Sequence, residues 1–456
     1  MKNITEEQKI YELSTIWKEA AYNFAFWDKV NIDWDEEYKK ALPRVLAAKD
    51  LYDYYRELMR FVSLLGDGHT GVSFPNEFYQ DPECFSMLPV FLWKCGDKIL
   101  VLNVSDSVND SIPLFSTLTR IDGIDAAEYV RENCYPYIWH ANEDACAIQA
   151  MNELMYGRSG SSAVFTFEKD GRQFDLRLER SDPSKMTWGK VDFSAKSNDP
   201  RREISSSDIH NISITDDGIA VIQIRSFADD SLPDKIFSCL DELKDAKGYI
   251  LDVRGNGGGN SSYSDAVAGL FIEGEFRSCV AERQVYEPAY KAWSVFREDF
   301  KGLSLSEILD RYSSDEESIK TYKMGRNIFY VSEAGDHVSG CVHGKLEGPV
   351  AVLMNENTVS AAEDFIDVIK QYTDAVFIGN NTAGTSGQPL FRQLESGGSF
   401  RICTCRCIAQ NGEDIYNKGF APDIKVIRTA EDLIGGYDRA LEKGLEVLRQ
   451  HQKTGE

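Results

Sequence analysis

A strand, a polar turn and a helix follow one another between residues 350 and 370, and this stretch constrains the fold most. Its sequence, VAVLMNENTVSAAEDFIDVIK, begins with five apolar residues typical of a buried strand and continues with apolar residues at helical spacing. Ser360 stands where the turn meets the helix. Backbone N–H groups without intrahelical partners lie at that end of a helix and could stabilise an oxyanion beside the hydroxyl. Ser360 could equally be only the N-cap, because serine is a favoured capping residue.

The preceding segment alternates between strand and helix patterns. Strands are predicted at 219–224 and 249–253 with a helix at 233–243 between them, an order typical of parallel strands in an α/β domain. The loop RGNGGGN at 254–260 follows the second strand. Its four glycines would let backbone N–H groups approach a ligand closely. A phosphate site is the competing interpretation, but neither G-x-x-x-x-G-K-[ST] nor G-x-G-x-x-G fits this loop.

Residues 1–80 are predicted to form a helical region that ends in a turn carrying a histidine. Apolar residues recur at helical spacing from Leu51 to Leu65, and GDGHTG follows at 66–71. The flanking glycines leave the backbone free to present His69, one of six histidines, to a neighbour. His69 could instead interact only with the last carbonyl groups of the preceding helix.

The remainder of the chain divides by composition. Short strand patterns and hairpin turns at 85–182 predict a compact, mostly β module. Residues 183–209 are rich in Ser, Asp and Lys and are predicted to be a linker. The α/β domain is predicted at 210–456, with a charged, aromatic insertion at 275–345 that we expect to form helices.

Charge and cysteine content limit the partners that the chain can have. A net charge of -24, from 50 Lys and Arg against 74 Asp and Glu, disfavours nucleic acid as a partner. Ten cysteines spread over the chain without a C-x-x-C pair do not predict a disulfide scaffold. Cys403, Cys405 and Cys407 alternate as on one face of a strand; we expect small apolar side chains there rather than ligands of a soft metal. No metal or cofactor is predicted.

The sequence also bears on location. No apolar run approaches the length of a membrane span, and residues 1–17 lack the basic start and apolar core of a signal peptide. We therefore expect a soluble protein without a membrane span. It would be cytoplasmic, or periplasmic or extracellular if a signal had been removed.

Four segments occur in the order known from the C-terminal-processing, or tail-specific, serine peptidases. They are GDGHT at 66–70, LDVRGNGGG at 251–259, NENTVSAAEDF at 355–365 and GFAPDI at 419–424. The chain resembles this family, and within it the tricorn-core-like branch that uses a serine and a histidine. The resemblance implies an α/β catalytic domain of the crotonase and ClpP type, preceded by the helical region and carrying an embedded PDZ-like module at 85–182.

The resemblance also implies roles for individual residues. Ser360 would be the nucleophile that forms an acyl-enzyme, and His69 would be its general base. The backbone N–H groups of Gly258 and Ala361 would form the oxyanion hole. An imidazole that titrates near neutral pH suits proton transfer from a serine hydroxyl.

The residue that orients the histidine is less well defined by the family pattern. One branch of the family uses a lysine as base, but Thr385 stands at the corresponding position here. The branch that uses histidine has a glutamate at the position occupied by Tyr416. Glu413 and Asp414 are the acidic residues close to it and are our candidates for the third catalytic residue.

The function implied by this resemblance is that of a serine peptidase acting on peptides or unfolded proteins. The PDZ-like module could select substrates by their C-terminal ends, adding each peptide as a strand to its sheet. The alternative is a non-catalytic ligand- or peptide-binding protein on the same scaffold. An acyl-CoA enzyme of the related crotonase fold would need neither GDGHT nor the PDZ-like module. The oligomeric state is not predicted.

Overall fold

A computed structural model describes residues 4–139, 142–189, 199–285, 287–328, 330–335, 337–338 and 345–454. The helices are α1 (Glu6–Asn23), α2 (Trp34–Ala47), α3 (Leu51–Val62), α4 (Ala126–Asn133), α5 (Glu143–Met155), α6 (Leu232–Phe237), α7 (Leu240–Leu243), α8 (Ser261–Ala268), α9 (Pro288–Ser294), α10 (Leu305–Arg311), α11 (Glu316–Gly325), α12 (Ala361–Tyr372), α13 (Ala430–Gly435) and α14 (Arg439–Thr454). 

The strands of the first half of the chain are β1 (Gly71–Ser73), β2 (Ser86–Met87), β3 (Val90–Cys95), β4 (Lys98–Val104), β5 (Thr117–Ile121), β6 (Ile124–Asp125), β7 (Tyr156–Gly157), β8 (Ser162–Lys169), β9 (Arg172–Glu179), β10 (Arg201–Ser206), β11 (His210–Thr215) and β12 (Ile219–Ile224). Those of the second half are β13 (Gly248–Asp252), β14 (Phe276–Arg277), β15 (Val280–Gln284), β16 (Tyr330–Glu333), β17 (His337–Val338), β18 (Val350–Met354), β19 (Val376–Gly379), β20 (Pro389–Gln393), β21 (Ser399–Cys403), β22 (Cys405–Ile408) and β23 (Ile424–Lys425).

The chain divides into two compact units, each assembled from three segments. The first unit comprises Met1–Pro75, Cys279–Gly335 and Gly387–Asp414. The second comprises Asn76–Ser278, Asp336–Ser386 and Ile415–Glu456.

A seven-stranded sheet in the order β10-β11-β12-β13-β18-β19-β23 organises the second unit. Its strands are parallel from β12 onward and antiparallel before it. All residues of β13 and β18 are buried, as expected for strands covered on both faces of a parallel sheet. Helix α14 packs its leucines against Ile250 and Leu353 on one face. This sheet confirms the predicted α/β fold and places the turns after β13 and β18 at the same edge.

The PDZ-like module is the second sheet of this unit, in the order β3-β4-β5-β8-β9 with β6 paired to β5. Its core includes residues of α4 and α5. The edge strand β3 lies against α5, and Met155 at the end of that helix covers part of the edge. The Leu88 N–H donates to the Met155 carbonyl at 3.0 Å, and the Leu92 N–H points to the Met155 sulfur at 3.1 Å.

The first unit combines the N-terminal helices with two small sheets, β1-β21-β20 and β16-β15-β22. Aromatic side chains join the helices: the rings of Trp34 and Phe61 stack with centroids 4.1 Å apart. The Tyr54 hydroxyl donates to the buried carboxylate of Glu12 at 2.8 Å. Helices α10 and α11 pack around Phe300 and belong to the same unit.

Three local predictions differ from the structure. The insertion at 275–345 contains the expected helices but also four short strands, β14 to β17. The predicted linker at 183–209 contains β10, which pairs with β11; residues 190–198 lie outside the described residues. Cys403 and Cys405 belong to different strands, because the chain passes from the sheet of β20 to that of β15 between them. Both are buried, as expected for small apolar side chains.

Among the described helices, none is long and apolar enough to cross a membrane.

Candidate active site

Ser360 lies at a sharp turn between β18 and α12. Its backbone has φ 59° and ψ -126°, a conformation that residues other than glycine rarely adopt. Neighbouring contacts hold it there: the Ser360 N–H donates to the Thr385 carbonyl at 3.0 Å, and the Val359 N–H donates to the Asn256 carbonyl at 3.0 Å. A strained residue held by several contacts at a strand-helix junction is typical of an exposed nucleophile.

The glycine loop after β13 lies directly against this turn. A Cβ atom added to Gly258 would lie 2.7 Å from Ser360 Cβ and 3.0 Å from the Ala361 nitrogen, so only glycine fits. Ala361 is the first residue of α12, where N–H groups lack intrahelical partners. The structure thus brings together three of the predicted site residues, Ser360, Gly258 and Ala361.

The orientation of the loop distinguishes its two N–H groups. The Gly258 N–H donates to Asn256 Oδ1 at 2.9 Å, whereas the Gly258 carbonyl accepts from the Phe227 N–H at 3.0 Å. Phe227 and Gly259 form a parallel bridge, and in that pattern the Gly259 N–H points away from Phe227. It therefore points to the side of β13 on which β18 and Ser360 lie. Gly259 is a candidate donor that sequence reasoning missed, because consecutive glycines look alike until the pairing is known.

A buried glutamate, Glu363, supports the nucleophile turn. It is 0% exposed, and one carboxylate oxygen accepts from the Thr382 hydroxyl at 2.6 Å and from the Gly384 N–H at 2.8 Å. The other accepts from the Thr385 N–H at 2.9 Å and from the Ser360 N–H at 3.3 Å. The spacing S-x-x-E of a capping box was the available sequence signal for this residue. Thr385, at the position of the family's lysine, takes part in this network through its backbone.

Burial raises the pKa of Glu363 to about 7, although its four hydrogen bonds act to lower it. A carboxyl whose pKa is higher in the folded than in the unfolded protein binds more protons when folded. Its contribution to stability is therefore largest below its ordinary value of 4.5 and is lost as pH rises to about 7.

Replacing Glu363 with glutamine should remove this pH dependence and also destabilise the protein. The shift corresponds to a decline of about 3 kcal/mol in the free energy of unfolding between pH 4.5 and 7. The glutamine NH2 group would face N–H donors, so we expect a loss of about 2 kcal/mol at pH 5. Urea denaturation at pH 5 and pH 8 measures both effects. Glu356→Gln, in the same turn, is the control; an unchanged pH dependence in Glu363→Gln would contradict the prediction.

His69 lies in the first unit, in a loop that is anchored on β21 by hydrogen bonds of its side chains. Asp67 Oδ2 accepts from the His69 N–H at 3.2 Å and from the Thr70 hydroxyl at 2.6 Å. The Thr70 hydroxyl oxygen in turn accepts from the Cys403 N–H at 2.9 Å. Asp67, His69 and Thr70 are all buried. The loop is therefore fixed by its own short-range contacts and by one strand of its unit.

Burial lowers the pKa of His69 below its ordinary value of 6.5, and the positive charge of Arg401 acts in the same direction. The carboxylate of Asp67 opposes both effects. Arg401 is held close by, donating to the Gly68 carbonyl at 2.9 Å. The imidazole is therefore neutral near pH 7, which is the form that a general base requires.

The candidates for the third residue are divided between the units. Glu413 is exposed, and Asp414 pairs with Lys29; both belong to the first unit with His69. Tyr416 is buried in the second unit. The charged side chains that act on the pKa of His69 are Asp67 and Arg401. The role of Glu413, Asp414 or Tyr416 remains a prediction.

A parallel sheet, a glycine loop and a strained serine at a helix N-terminus define an α/β protein with a candidate nucleophile at one edge of its sheet. Residues 218–426 match the profile of peptidase family S41. This match confirms the resemblance to the C-terminal-processing serine peptidases, and the matched range contains three of the four motifs; GDGHT lies before it.

Two curated relatives illustrate the similarity. The carboxy-terminal processing protease CtpA of Bacillus subtilis (strain 168) is 26% identical over 260 residues, which cover 56% of this chain and 43% of that protein. The carboxy-terminal-processing protease of Bartonella bacilliformis (strain ATCC 35685 / KC583 / Herrer 020/F12,63) is 30% identical over 107 residues, 24% of each chain. The chain thus spans less than half the length of these relatives.

The solved structure of mature CPAF complexed with lactacystin superposes with a TM-score of 0.71 at 16% identity, covering 98% of both chains. This similarity extends the shared fold over nearly the whole chain.

Proposed function

We propose that the chain is a serine peptidase that hydrolyses peptide bonds through an acyl-enzyme on Ser360. The observation that carries this proposal is the strained backbone of Ser360 in contact with the glycine loop. Such strain costs about 1–3 kcal/mol, and it is expected where a nucleophile must be presented to a substrate. The match of residues 218–426 to peptidase family S41 and the similarity to CtpA support the same conclusion.

In the proposed reaction, the Ser360 hydroxyl oxygen attacks the peptide carbonyl carbon while His69 accepts its proton. The negative oxygen of the tetrahedral intermediate accepts hydrogen bonds from the N–H groups of Ala361 and Gly259, because the Gly258 N–H is already bonded to Asn256 Oδ1. Gly258, the donor expected from the resemblance, contributes by its close approach to Ser360. His69 then gives the proton to the leaving amine, and the carbonyl carbon remains esterified to Ser360. Water, deprotonated by His69, hydrolyses the ester and restores the serine hydroxyl.

The assignment of His69 as base rests on the GDGHT motif and on the chemistry of its imidazole. Burial and the positive charge of Arg401 keep that imidazole neutral near pH 7. Glu413 and Asp414 remain the proposed candidates for orienting it. Peptides or unfolded proteins are the proposed substrates.

The PDZ-like module bears on how substrates are chosen. Capture of a terminal carboxylate uses free backbone N–H groups at the start of the edge strand. Here the N–H groups of Leu88 and Leu92 are directed to Met155, and Pro89 has none. Selection by C-terminal ends through β3 would therefore require movement of α5. Selection by C-terminal ends can be tested by measuring kcat/KM for the same peptide with a free and with an amidated C-terminus. A kcat/KM that is about tenfold or more higher for the free C-terminus would support such selection.

A fluorophosphonate probe tests the proposed function directly. We expect the folded protein to be labelled on Ser360, as located by mass spectrometry, and to cleave an unfolded protein. Ser360→Ala should show neither. A folded wild-type protein that is neither labelled nor active would overturn the proposal and favour the binding-protein alternative.

A further inference from the structure

Asn256 lies in the first half of the glycine loop and is completely buried. Its side chain bridges two backbone segments: Nδ2 donates to the Ile224 carbonyl at 3.2 Å, and Oδ1 accepts from the Gly258 N–H at 2.9 Å. Only a group that donates and accepts at once can make both bonds, and a carboxamide does so. The side chain therefore ties the end of β12 to the glycine loop.

The backbone of Asn256 makes the connection to the nucleophile. Its carbonyl accepts from the N–H of Val359, the residue before Ser360, at 3.0 Å. Its own N–H donates to the Val253 carbonyl at 3.1 Å, which fixes the residue at the end of β13. One residue thus holds the glycine loop, the strand beside it and the nucleophile turn in a single arrangement.

The geometry of the loop depends on this arrangement. The Gly258 carbonyl is held by Phe227, and this contact directs the Gly259 N–H toward the nucleophile side. With the Gly258 N–H bonded to Asn256, both ends of the Gly258 residue are fixed. Rotation of the peptide group before or after Gly258 would move the Gly259 N–H away from the oxyanion. A donor must lie about 2.7–3.1 Å from the oxyanion to form a hydrogen bond.

We infer that Asn256 is a positioning residue that holds the glycine-loop side of the oxyanion hole against the Ser360 turn. This inference rests on the proposed peptidase function and adds to it a residue outside the predicted catalytic set. Asn256 acts through Gly258 and Gly259 and through Val359. It need not touch the substrate.

Asn256→Asp provides the sharpest test, because it has the same shape but cannot donate to the Ile224 carbonyl. It also introduces a negative charge near the developing oxyanion. We expect kcat to fall about 100-fold or more, while KM changes less than about threefold. Affinity for a peptide aldehyde, whose hemiacetal oxygen resembles the oxyanion, should fall in parallel with kcat/KM. Affinity for the corresponding peptide amide, which forms no adduct, should not change.

Asn256→Ser is the second variant, in case the aspartate variant does not fold. A serine hydroxyl can still accept from the N–H two residues ahead but cannot reach the Ile224 carbonyl, so we expect about a 10-fold loss in kcat. Asn260→Ala is the matched control in the same loop, because the Asn260 side chain accepts from the Ser262 N–H at 2.9 Å and caps α8. It should leave the ratio of aldehyde to amide affinity unchanged.

The outcomes separate the inference from the function on which it rests. Folded Asn256 variants that keep kcat and aldehyde affinity within about threefold of an active wild type would overturn the inference alone. A parallel loss in kcat, aldehyde affinity and amide affinity would indicate only a disordered site and would also overturn it. A wild-type protein without hydrolysis would overturn both.

Discussion

Replacing Ser360 with alanine or glycine should abolish peptide hydrolysis, whereas the two variants should differ in stability. Neither side chain carries a nucleophile, so the loss of turnover should be at least about 10⁴-fold. Alanine must still adopt φ 59°, a conformation that glycine adopts without strain. We expect the glycine variant to be more stable than the alanine variant by about 1 kcal/mol, after allowing for the greater entropy of glycine in the unfolded chain.

The measurement combines activity with urea denaturation of the two Ser360 variants and wild type. If the alanine variant equals or exceeds the glycine variant in stability, the backbone of Ser360 is not strained as described. If either variant retains turnover above that of a buffer control, another residue supplies the nucleophile. The two readouts therefore examine the chemistry and the geometry of the same residue separately.

Replacing His69 with alanine should lower kcat/KM about 10³-fold, because proton transfer by a positioned base contributes about 10²- to 10⁴-fold. His210→Ala is the matched control. His210 is also buried, but Ser205 and Ser207 occupy its two ring nitrogens at 2.9 and 2.8 Å, which indicates a structural role. Activity in folded His210→Ala should stay within about threefold of wild type. Equal losses in both variants would argue against His69 as the base.

The pH profile provides a second readout for His69. Because its pKa is lowered, the acidic limb of kcat/KM should lie below pH 6.5. The free energy of unfolding should depend on pH in the same direction. Folding favours the neutral form of His69, so its contribution to stability is lost as pH falls below 6.5. Glu413→Gln and Asp414→Asn complete the series. If neither changes turnover by more than about threefold, the proposed third residue is wrong.

Much of the architecture could be predicted from local patterns. The buried strand at 350–354 and the glycine-rich turn at 254–260 are short-range features, so periodicity and turn chemistry sufficed. The four short strands at the ends of the insertion could not be predicted, because their partners lie far away in sequence. Cys403 and Cys405 show the same limit: alternation predicts one strand, whereas the change of partner between sheets depends on the whole fold.

The site divides in a similar way. Ser360 and Ala361 could be predicted as site residues from the strand-turn-helix pattern, and Gly258 from the order of the four motifs. Asn256 and Glu363 were missed because their importance lies in which backbone groups they contact, and those contacts form only in the folded chain. A capping-box spacing hinted at Glu363 but gave no sign of its burial or of its bonds to Thr382 and Gly384.

The anchoring of the His69 loop on β21 has a consequence for the order in which the protein matures during synthesis. Thr70 and Cys403 are 333 residues apart, yet their hydrogen bond fixes the loop. A ribosome makes about 5–20 residues per second, so the loop must wait at least about 17 seconds for its partner strand. A nascent chain that ends before β21 therefore lacks the anchored base. A peptidase built in this way would not complete its proposed catalytic machinery until most of its own chain had been made.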